Sequence, residues 1–503
     1  MSKQKCFGIF LKKVYTIFMH WISWVFLGFG VVGIVNLLLL IGMVFLEKKK
    51  PQTIMAWMAI LTFLPIIGFV FYMLLGSGLS HRVKSMIKKK AISEKDVLKN
   101  IKGLKTFSEV IGLKVLSRDA ELVKLCFDMG GYPCIGNDVK IFCHGMEKMA
   151  ILKQDLLEAK KSINLEYYIF ANDRIGKEIM GILIKKAKDG VKVKLIYDSI
   201  GSKKSSRRFF KKLEKAGGEV AEFFPPFLHV RSINLKVNYR NHRKIAVIDG
   251  KIAYTGGINI RDDHMGMKKK LSPWRDASIR IEGSGVYPLQ NIFLDDWRYA
   301  KKDETPVEKY LKFYFPVPEP KGDVALQVLT SGPDSELQKI KEAYIKMIVS
   351  AKKRVYLQTP YFVPDDAFMS ALTIAKKSGV DVRIMLPAKP DKRAVYLPTL
   401  SYAREMAEVG IKIYFYNGFL HAKTLLVDDN KLSIGSCNLD NRSFGLNFEC
   451  TAIMYSEELT KKYLEFLEED FMNSVVADEA YFKKIPLLTK MGQAFYRMLS
   501  PLL

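Results

Sequence analysis

The chain of 503 residues has room for two or three domains, and 49% hydrophobic with 12% aromatic residues suits folded cores with some membrane contact. Its formal net charge of +27 asks for an anionic partner, either nucleic acid or a membrane surface rich in acidic lipid. The six cysteines (6, 126, 134, 143, 437 and 450) show neither C-x-x-C metal spacing nor a disulfide framework, which fits a reducing compartment.

Residues 21–46 form an apolar run broken only by Ser23 and Asn36, long enough to cross a hydrocarbon core of ~30 Å. Residues 47–50 (EKKK) stop it, and residues 54–79 are a second run, interrupted by Pro65 and small residues. A cleaved signal peptide is excluded by the length, by the lack of a small-x-small site, and by the second run that follows at once. The expectation is a two-helix transmembrane hairpin within residues 1–79. Lysines at 3, 5, 12 and 13 precede it and basic residues at 82, 84 and 88–90 follow it, against three lysines in the loop. That excess places both ends in the cytoplasm.

Residues 80–138 read as a basic, partly helical connector. From residue 139 strands and helices alternate: helix 147–161, strand 163–170, helix 175–189, strand 191–197, helix 209–216 and strand 220–224. Residues 321–485 replay the order, with helix 335–352, strand 354–361, helix 367–378, strand 380–386, helix 402–409 and strand 411–416. Ala159-Lys160-Lys161 matches Ala351-Lys352-Lys353, and Gly190-Val191 matches Gly379-Val380. The repeat, roughly 180–190 residues long, is too long for a solenoid unit. Two homologous α/β halves, residues 139–320 and 321–485, are expected, their equivalent sites meeting across a pseudo-twofold axis.

Both halves close on the same text: NHRKIAVIDGKIAYTGGIN at 241–259 and LHAKTLLVDDNKLSIGSCN at 420–438. Each carries His-x-Lys-x4-Asp (His242, Lys244, Asp249; His421, Lys423, Asp428) and then a Gly-(Gly/Ser)-x-Asn, with Gly257, Asn259, Ser436 and Asn438. In a chain with only seven histidines the duplication is not chance. Each motif reads as a β-hairpin whose turn holds the Asp. Two facing histidines suit phosphodiester chemistry: a neutral imidazole attacks phosphorus and a protonated one hands its proton to the leaving alkoxide. Lys244 and Lys423 would hold the non-bridging oxygens, with Asn259 and Asn438 as neutral donors. No metal or other cofactor is required. Asp249 and Asp428 join the catalytic set by motif, although their turn positions also suit hairpin anchors. Superposing the halves offers Asp276 to orient His242 and Glu449 to orient His421. Arg243, beside His242, would favour that imidazole's neutral form.

The duplicated motif resembles the phospholipase D superfamily. The surrounding text is similar to bacterial cardiolipin synthases: LPIIGFVFYMLLG, LEYYIF, WRDASIRIEG, LQVLTSGP, TPYFVPD, GSCNLDNRSFGLNFE and the closing LSPLL. The resemblance implies two phospholipase D-like α/β/α halves sharing one composite site. It implies joining of two phosphatidylglycerols into cardiolipin with release of glycerol, His242 as nucleophile and His421 as acid. It also implies a multi-pass bacterial membrane protein with its catalytic part on the cytoplasmic side. Anionic membrane lipid is then the partner and no nucleic acid is expected; oligomeric state is not legible. Two departures, Ser436 for a frequent Thr and Asp262-Asp263-His264 for an acidic-aromatic ending, are expected not to touch the reacting groups. Hydrolytic phospholipase D and phosphatidyl transfer to another alcohol use the same residues. A nuclease, for which the basic run 203–212 would serve, fits poorly with two spans, and a dead scaffold fits poorly with intact motifs. Residues 486–503 form an amphipathic stripe (Leu487, Leu488, Met491, Phe495, Met498, Leu499, Leu502) opposite Lys490, Gln493 and Arg497, suited either to the membrane interface or to packing on the domain.

Overall fold

The structure, a computed structural model, describes residues 3–45, 51–72, 76, 87, 109–110, 113–225, 227–229, 232–234, 239–268 and 271–498. Most of the expected connector, residues 80–86 and 88–108, lies outside the described residues. The N-terminal segment, up to Gly78, is a compact unit separate from the α/β body.

In the N-terminal unit, helix α1 (Lys3–Phe45) includes the expected first span; Lys13–Phe45 is long and apolar enough to cross a membrane, with mean hydropathy 2.5. The second run differs from the expectation of one continuous helix over 54–79. It is split into α2 (Pro51–Phe63) and α3 (Pro65–Phe71) at Leu64. Pro65 has no N–H to give the carbonyl of Leu61, four residues earlier. Asn36 of α1 supplies the missing donor: its Nδ2 reaches the Leu61 carbonyl at 3.3 Å and the Pro65 carbonyl at 3.0 Å. The polar break in the first run thus answers the proline in the second, as an apolar setting demands. Met43, Trp57, Leu61 and Tyr72 close the contact, with the Trp57 and Tyr72 rings edge-on at 5.1 Å.

The α/β body holds one continuous mixed sheet. After helix α4 (Ala120–Asp128) the first half contributes β1 (Cys134–Phe142), β2 (Ser162–Tyr167), β3 (Lys192–Asp198), β4 (Glu219–Phe223), β5 (Lys244–Ile248), β6 (Ile252–Gly256) and β7 (Ser278–Glu282). The second contributes β8 (Val324–Ser331), β9 (Arg354–Gln358), β10 (Asp381–Pro387), β11 (Lys412–Tyr416), β12 (Thr424–Val427), β13 (Lys431–Gly435), β14 (Asn447–Tyr455) and β15 (Ser474–Ala477). The strand order is β4-β3-β2-β5-β6-β7-β1 followed by β8-β14-β13-β12-β9-β10-β11-β15. The halves are therefore copies joined at their central edges, where β1 and β8 pair antiparallel. β2, β3 and β4 run parallel, as do β9, β10 and β11, while the motif hairpins β5–β6 and β12–β13 are antiparallel.

Helices α5 (Gly145–Glu158), α6 (Arg174–Lys188) and α7 (Arg207–Lys215) cover one face of the first half, burying Leu152, Ile179, Leu183 and Phe210 against Leu165, Ala246 and Ile248. Alternation sends Ile245 and Val247 of the same strand to the opposite face. There α8 (Val286–Lys301) and, from the second half, α12 (Glu457–Met472) cover a core that both halves share. Before α12, helices α9 (Lys339–Val349), α10 (Asp366–Lys377) and α11 (Arg393–Glu408) cover the second half's other face. α11 begins well before the expected residue 402; Pro398 lies inside it and masked its first turns in the sequence. α4, from the end of the expected connector, packs Leu122, Val123 and Cys126 into the second half's core. Cys126, Cys134, Cys143, Cys437 and Cys450 are buried free thiols.

Candidate active site

The two Asp residues of the motifs do not reach the site. Asp249 sits in the β5–β6 turn at φ 53°, and its carboxylate accepts backbone N–H bonds from Lys160, Lys161 and Ser162 at 2.8, 2.7 and 2.8 Å. Asp428, at φ 54°, does the same for Lys352, Lys353 and Arg354 at 3.0, 2.7 and 3.3 Å. Each one pins the start of the neighbouring parallel strand to its hairpin. Their placement with the catalytic residues by motif is corrected: they are structural anchors.

The histidines lie just ahead of β5 and β12, where the halves interlock. Arg240-Asn241 pairs with Asn447-Phe448, and the His242 N–H donates to the Phe448 carbonyl at 2.9 Å. Trp274-Arg275 pairs with Phe419-Leu420, and the His421 N–H donates to the Arg275 carbonyl at 2.7 Å. The residue before each histidine is thus set beside the residue before the other half's carboxylate. The side chains follow. His242 Nδ1 lies 2.9 and 3.1 Å from the Glu449 oxygens, and His421 Nδ1 lies 2.7 Å from Asp276 Oδ2. Both carboxylates are fully buried. The orienting pairs are therefore the reverse of those expected from superposing the halves, because the pseudo-twofold exchanges the acceptors between them. With Nδ1 held by a carboxylate, Nε2 is the imidazole nitrogen left for chemistry in each case.

Lys244 and Lys423, both buried, each donate to the carbonyl of the histidine two residues earlier. Burial pulls Lys244 down to about 8 and Lys423 to about 7, against the raising pull of Glu449 and Asp276. Burial also lowers His242 to about 4, with Lys244 adding to the effect and Glu449 opposing it. His421 is held well below its ordinary range by burial and then by Lys423. Glu449 and Asp276 stay charged despite their burial because the imidazoles and lysines surround them. Arg243, expected to favour neutral His242, is not among the largest influences on it. Its guanidinium is paired with Asp296 of α8, and its Nε donates to the Glu449 carbonyl at 3.3 Å.

Neither departure from the family pattern is remote. Ser436 Oγ donates to Glu449, and its carbonyl lies 3.1 Å from His242 Nδ1. The equivalent Gly257 is required by space, since a Cβ there would stand 2.0 Å from Asp276 Oδ1. Asp276 takes the Ala277 N–H at 2.8 Å instead, and His264 Nδ1 lies 3.5 Å from its other oxygen. The His264 ring stands edge-on to His421 at 5.0 Å and against Trp274 at 4.2 Å. Its Nε2 is 3.3 Å from Asn259 Nδ2, while Asn259 Oδ1 accepts from the Ile169 N–H at 3.1 Å. Asn259 is thereby tied at both ends. Asn438 is buried with its Oδ1 unpartnered among the described residues. His264, Asp276 and His421 offer three ligand-type atoms within 4.8 Å; one carboxylate between two imidazoles accounts for the cluster.

Sequence reasoning missed the polar layer behind the histidines. Asn241 Nδ2 donates to Glu166 and, at 3.1 Å, to Asp296, and burial beside Asp296 raises Glu166 well above its ordinary value. In the other half's support, Arg275 Nε donates to Asp470 of α12 at 2.8 Å and Gln358 Nε2 donates to the same carboxylate at 2.8 Å. Tyr168 packs its ring edge-on to His242 at 4.8 Å. The WRD text and the Tyr-Tyr of LEYYIF were visible, but Arg275 and Asp276 find their partners in the other half of the chain and Tyr168 meets His242 only across the sheet.

The model of the family described as "Cardiolipin synthase, PLD-like domain" matches residues 152–273 and 344–471, and that described as "Phospholipase_D-nuclease N-terminal" matches 34–77. The chain is 40% identical over 475 residues to the major cardiolipin synthase ClsA of Bacillus subtilis, covering 93% of this chain and 98% of that protein. The chain belongs to the cardiolipin synthase family. It is likewise 41% identical over 475 residues to the cardiolipin synthase of Listeria welshimeri, covering 92% of this chain and 95% of that one. The fold is shared with the phosphatidylserine synthase of Haemophilus influenzae, at a TM-score of 0.59 and 14% identity, over 76% of this chain and 100% of that chain. As a cardiolipin synthase of the phospholipase D superfamily with an apolar N-terminal helix, it is a membrane-associated phosphatidyltransferase.

Proposed function

We propose that this cardiolipin synthase condenses two phosphatidylglycerols into cardiolipin and glycerol, with His242 as nucleophile and His421 as acid and then base. The observation that carries the reading is the crossed pairing of His242 with Glu449 and of His421 with Asp276. It holds both Nδ1 atoms and leaves both Nε2 atoms for the chemistry, which supports the reading of a shared site. Nε2 of neutral His242 bonds to phosphorus while the P–O bond to glycerol breaks. Protonated His421 gives its Nε2 proton to the departing glycerol oxygen. Neutral His421 then takes the proton of a second phosphatidylglycerol's hydroxyl, whose oxygen displaces His242. Glu449 and Asp276 remain anionic and stabilise whichever imidazole is charged.

The bare site disfavours extra positive charge, as the lowered lysines and histidines indicate. An arriving phosphodiester anion reverses that balance and raises His421 into its acid form. Lys244 and Lys423 meet the non-bridging oxygens, and Asn438 adds a neutral contact. Purified enzyme given labelled phosphatidylglycerol alone should yield cardiolipin and glycerol in equal amounts. Phosphatidic acid in place of cardiolipin would contradict the transfer and indicate hydrolysis.

The N-terminal unit is read as two crossings, α1 and the broken α2–α3 segment, with both ends cytoplasmic. α2 alone, at 13 residues, spans only about 20 Å, so α3 completes the passage. A cysteine placed at Glu47 should react with an impermeant maleimide added outside intact cells. Protection there with labelling only after lysis would reverse the orientation.

A further inference from the structure

The C-terminal helix α13 (Leu487–Met498) is seated opposite to what a soluble protein would do. Its polar side faces the body. Gln493 is buried, and Arg497 donates to Glu405 of α11 at 2.6 Å and to Ser401 at 3.3 Å, with its guanidinium 4.3 Å from the Tyr402 ring centroid. Its apolar side faces outward: Leu487, Leu488, Met491, Phe495 and Met498 are 74, 82, 61, 58 and 73% exposed. Single exposed hydrophobics are ordinary, but five on one stripe of a three-turn helix are not. The seating also leaves the buried Gln493 amide without a partner among the described residues, which is costly for a polar group removed from water. Turning the helix over would bury the stripe, so something outside the body must offset leaving it exposed.

We propose that the outward stripe of α13 is a second membrane contact, lying in the interfacial layer of a bilayer that contains anionic phospholipid. Three observations choose the bilayer over a protein partner. Lys484 and Lys483, exposed just before the stripe, the latter also paired with Glu479 at 2.7 Å, supply a basic flank of the kind that holds such helices to acidic headgroups. The net charge of +27 extends that preference to the whole chain. The N-terminal helix and the phospholipid chemistry of the family already bring the body to a membrane surface.

The seat of α13 also connects this contact to the active site. α11 lies beneath it, and Thr399 Oγ1 of α11 accepts from the Phe362 N–H at 3.1 Å. Phe362-Val363 pairs in parallel with Leu439-Asp440, the two residues that follow Asn438. A helix resting on lipid is therefore one packed layer from a phosphate-binding residue of the second motif. Docking would present the site to substrate in the bilayer.

The test uses the full-length enzyme with Cys6→Ser and an environment-sensitive fluorophore on Leu488→Cys or, separately, Phe495→Cys, reconstituted in vesicles of phosphatidylglycerol and phosphatidylcholine. Doxyl groups on the lipid chains should quench either probe at least twofold, and aqueous iodide should have little effect. Quenching by iodide without quenching by doxyl lipid would overturn the proposal. So would a probe shielded from both that self-quenches as protein per vesicle rises, because a second copy would then cover the stripe. In parallel, L488E/F495E should lose about fivefold or more in kcat/KM on vesicles while staying within about twofold on detergent-dispersed lipid. An unchanged vesicle-to-micelle ratio would also overturn it.

Discussion

His242 takes its orienting carboxylate from Glu449, 207 residues later in the chain, at 2.9 Å. Asp276 makes the return exchange to His421. Neither half alone can therefore pair its histidine with a carboxylate, and under the proposed mechanism the two acceptors serve different steps.

That division predicts different phenotypes for two conservative changes. Glu449→Gln should slow formation of the phosphohistidine, and Asp276→Asn should slow protonation of the leaving glycerol, each by on the order of 10²-fold. A phosphatidyl ester with a nitrophenol leaving group needs no acid. It should restore most of the first-step rate to D276N and none to E449Q, measured as the burst of nitrophenol. Equal rescue of both would contradict the assignment.

Asp249 and Asp428 should behave as structural residues. Asp249→Ala removes the acceptor of three backbone N–H groups and places alanine at φ 53°. A stability loss of about 2–3 kcal/mol is expected, with activity per folded molecule retained. Asp249→Asn, which tolerates that φ, should cost less. Denaturant unfolding alongside specific activity separates the two effects. A stable but inactive D249A would return Asp249 to the chemistry.

The free enzyme should lose stability on mild acidification. His242, His264 and His421 are all lowered by burial, the first two to about 4 from an ordinary 6.5. The unfolded chain then binds more protons as pH falls, so stability is fully present above about 6.5 and drains away towards about 4. An anion in the site raises the folded-state values and should blunt the loss. Melting curves from pH 7.5 to 5 should show a falling Tm that inorganic phosphate partly restores. A flat profile would contradict the burial of three neutral imidazoles.

His264 should act as a positioning residue for His421. Its Nδ1 competes for the Asp276 oxygen that His421 uses, while Lys423, Lys244 and Asn259 flank the cluster. Removing that competitor concentrates the carboxylate's charge on His421. His264→Phe should therefore raise the alkaline limb of the kcat profile by about half a pH unit, with Phe retaining the Trp274 contact. A uniform fall in kcat at every pH would mark a purely packing role.

Much of this was legible because strand periodicity and a duplicated motif are local signals. Lys244–Ile248 and its turn at Asp249 fall where alternation puts them. The crossing of Glu449 and Asp276 was not legible, since superposing two copies matches residues within a half and is blind to a twofold exchange. His264 looked like a harmless variation because its neighbours Asp276 and His421 come from other segments. α8 and α12, which cover the shared core and supply Asp296 and Asp470, were not among the expected elements, because the alternation was followed only as far as the motif hairpin in each half. The break at Pro65 was visible as a proline, but its partner Asn36 needed the helices set side by side.

The central claim is one composite site in which His242 carries the phosphatidyl group. The most direct measurement mixes enzyme with phosphatidylglycerol labelled in its acyl chains, quenches it within one turnover, and maps the modified peptide under conditions that spare phosphohistidine. The label should sit on the peptide containing His242, and it should vanish in H242A but persist in H421A given an activated leaving group. Label on the His421 peptide with His242 unmodified would contradict the account.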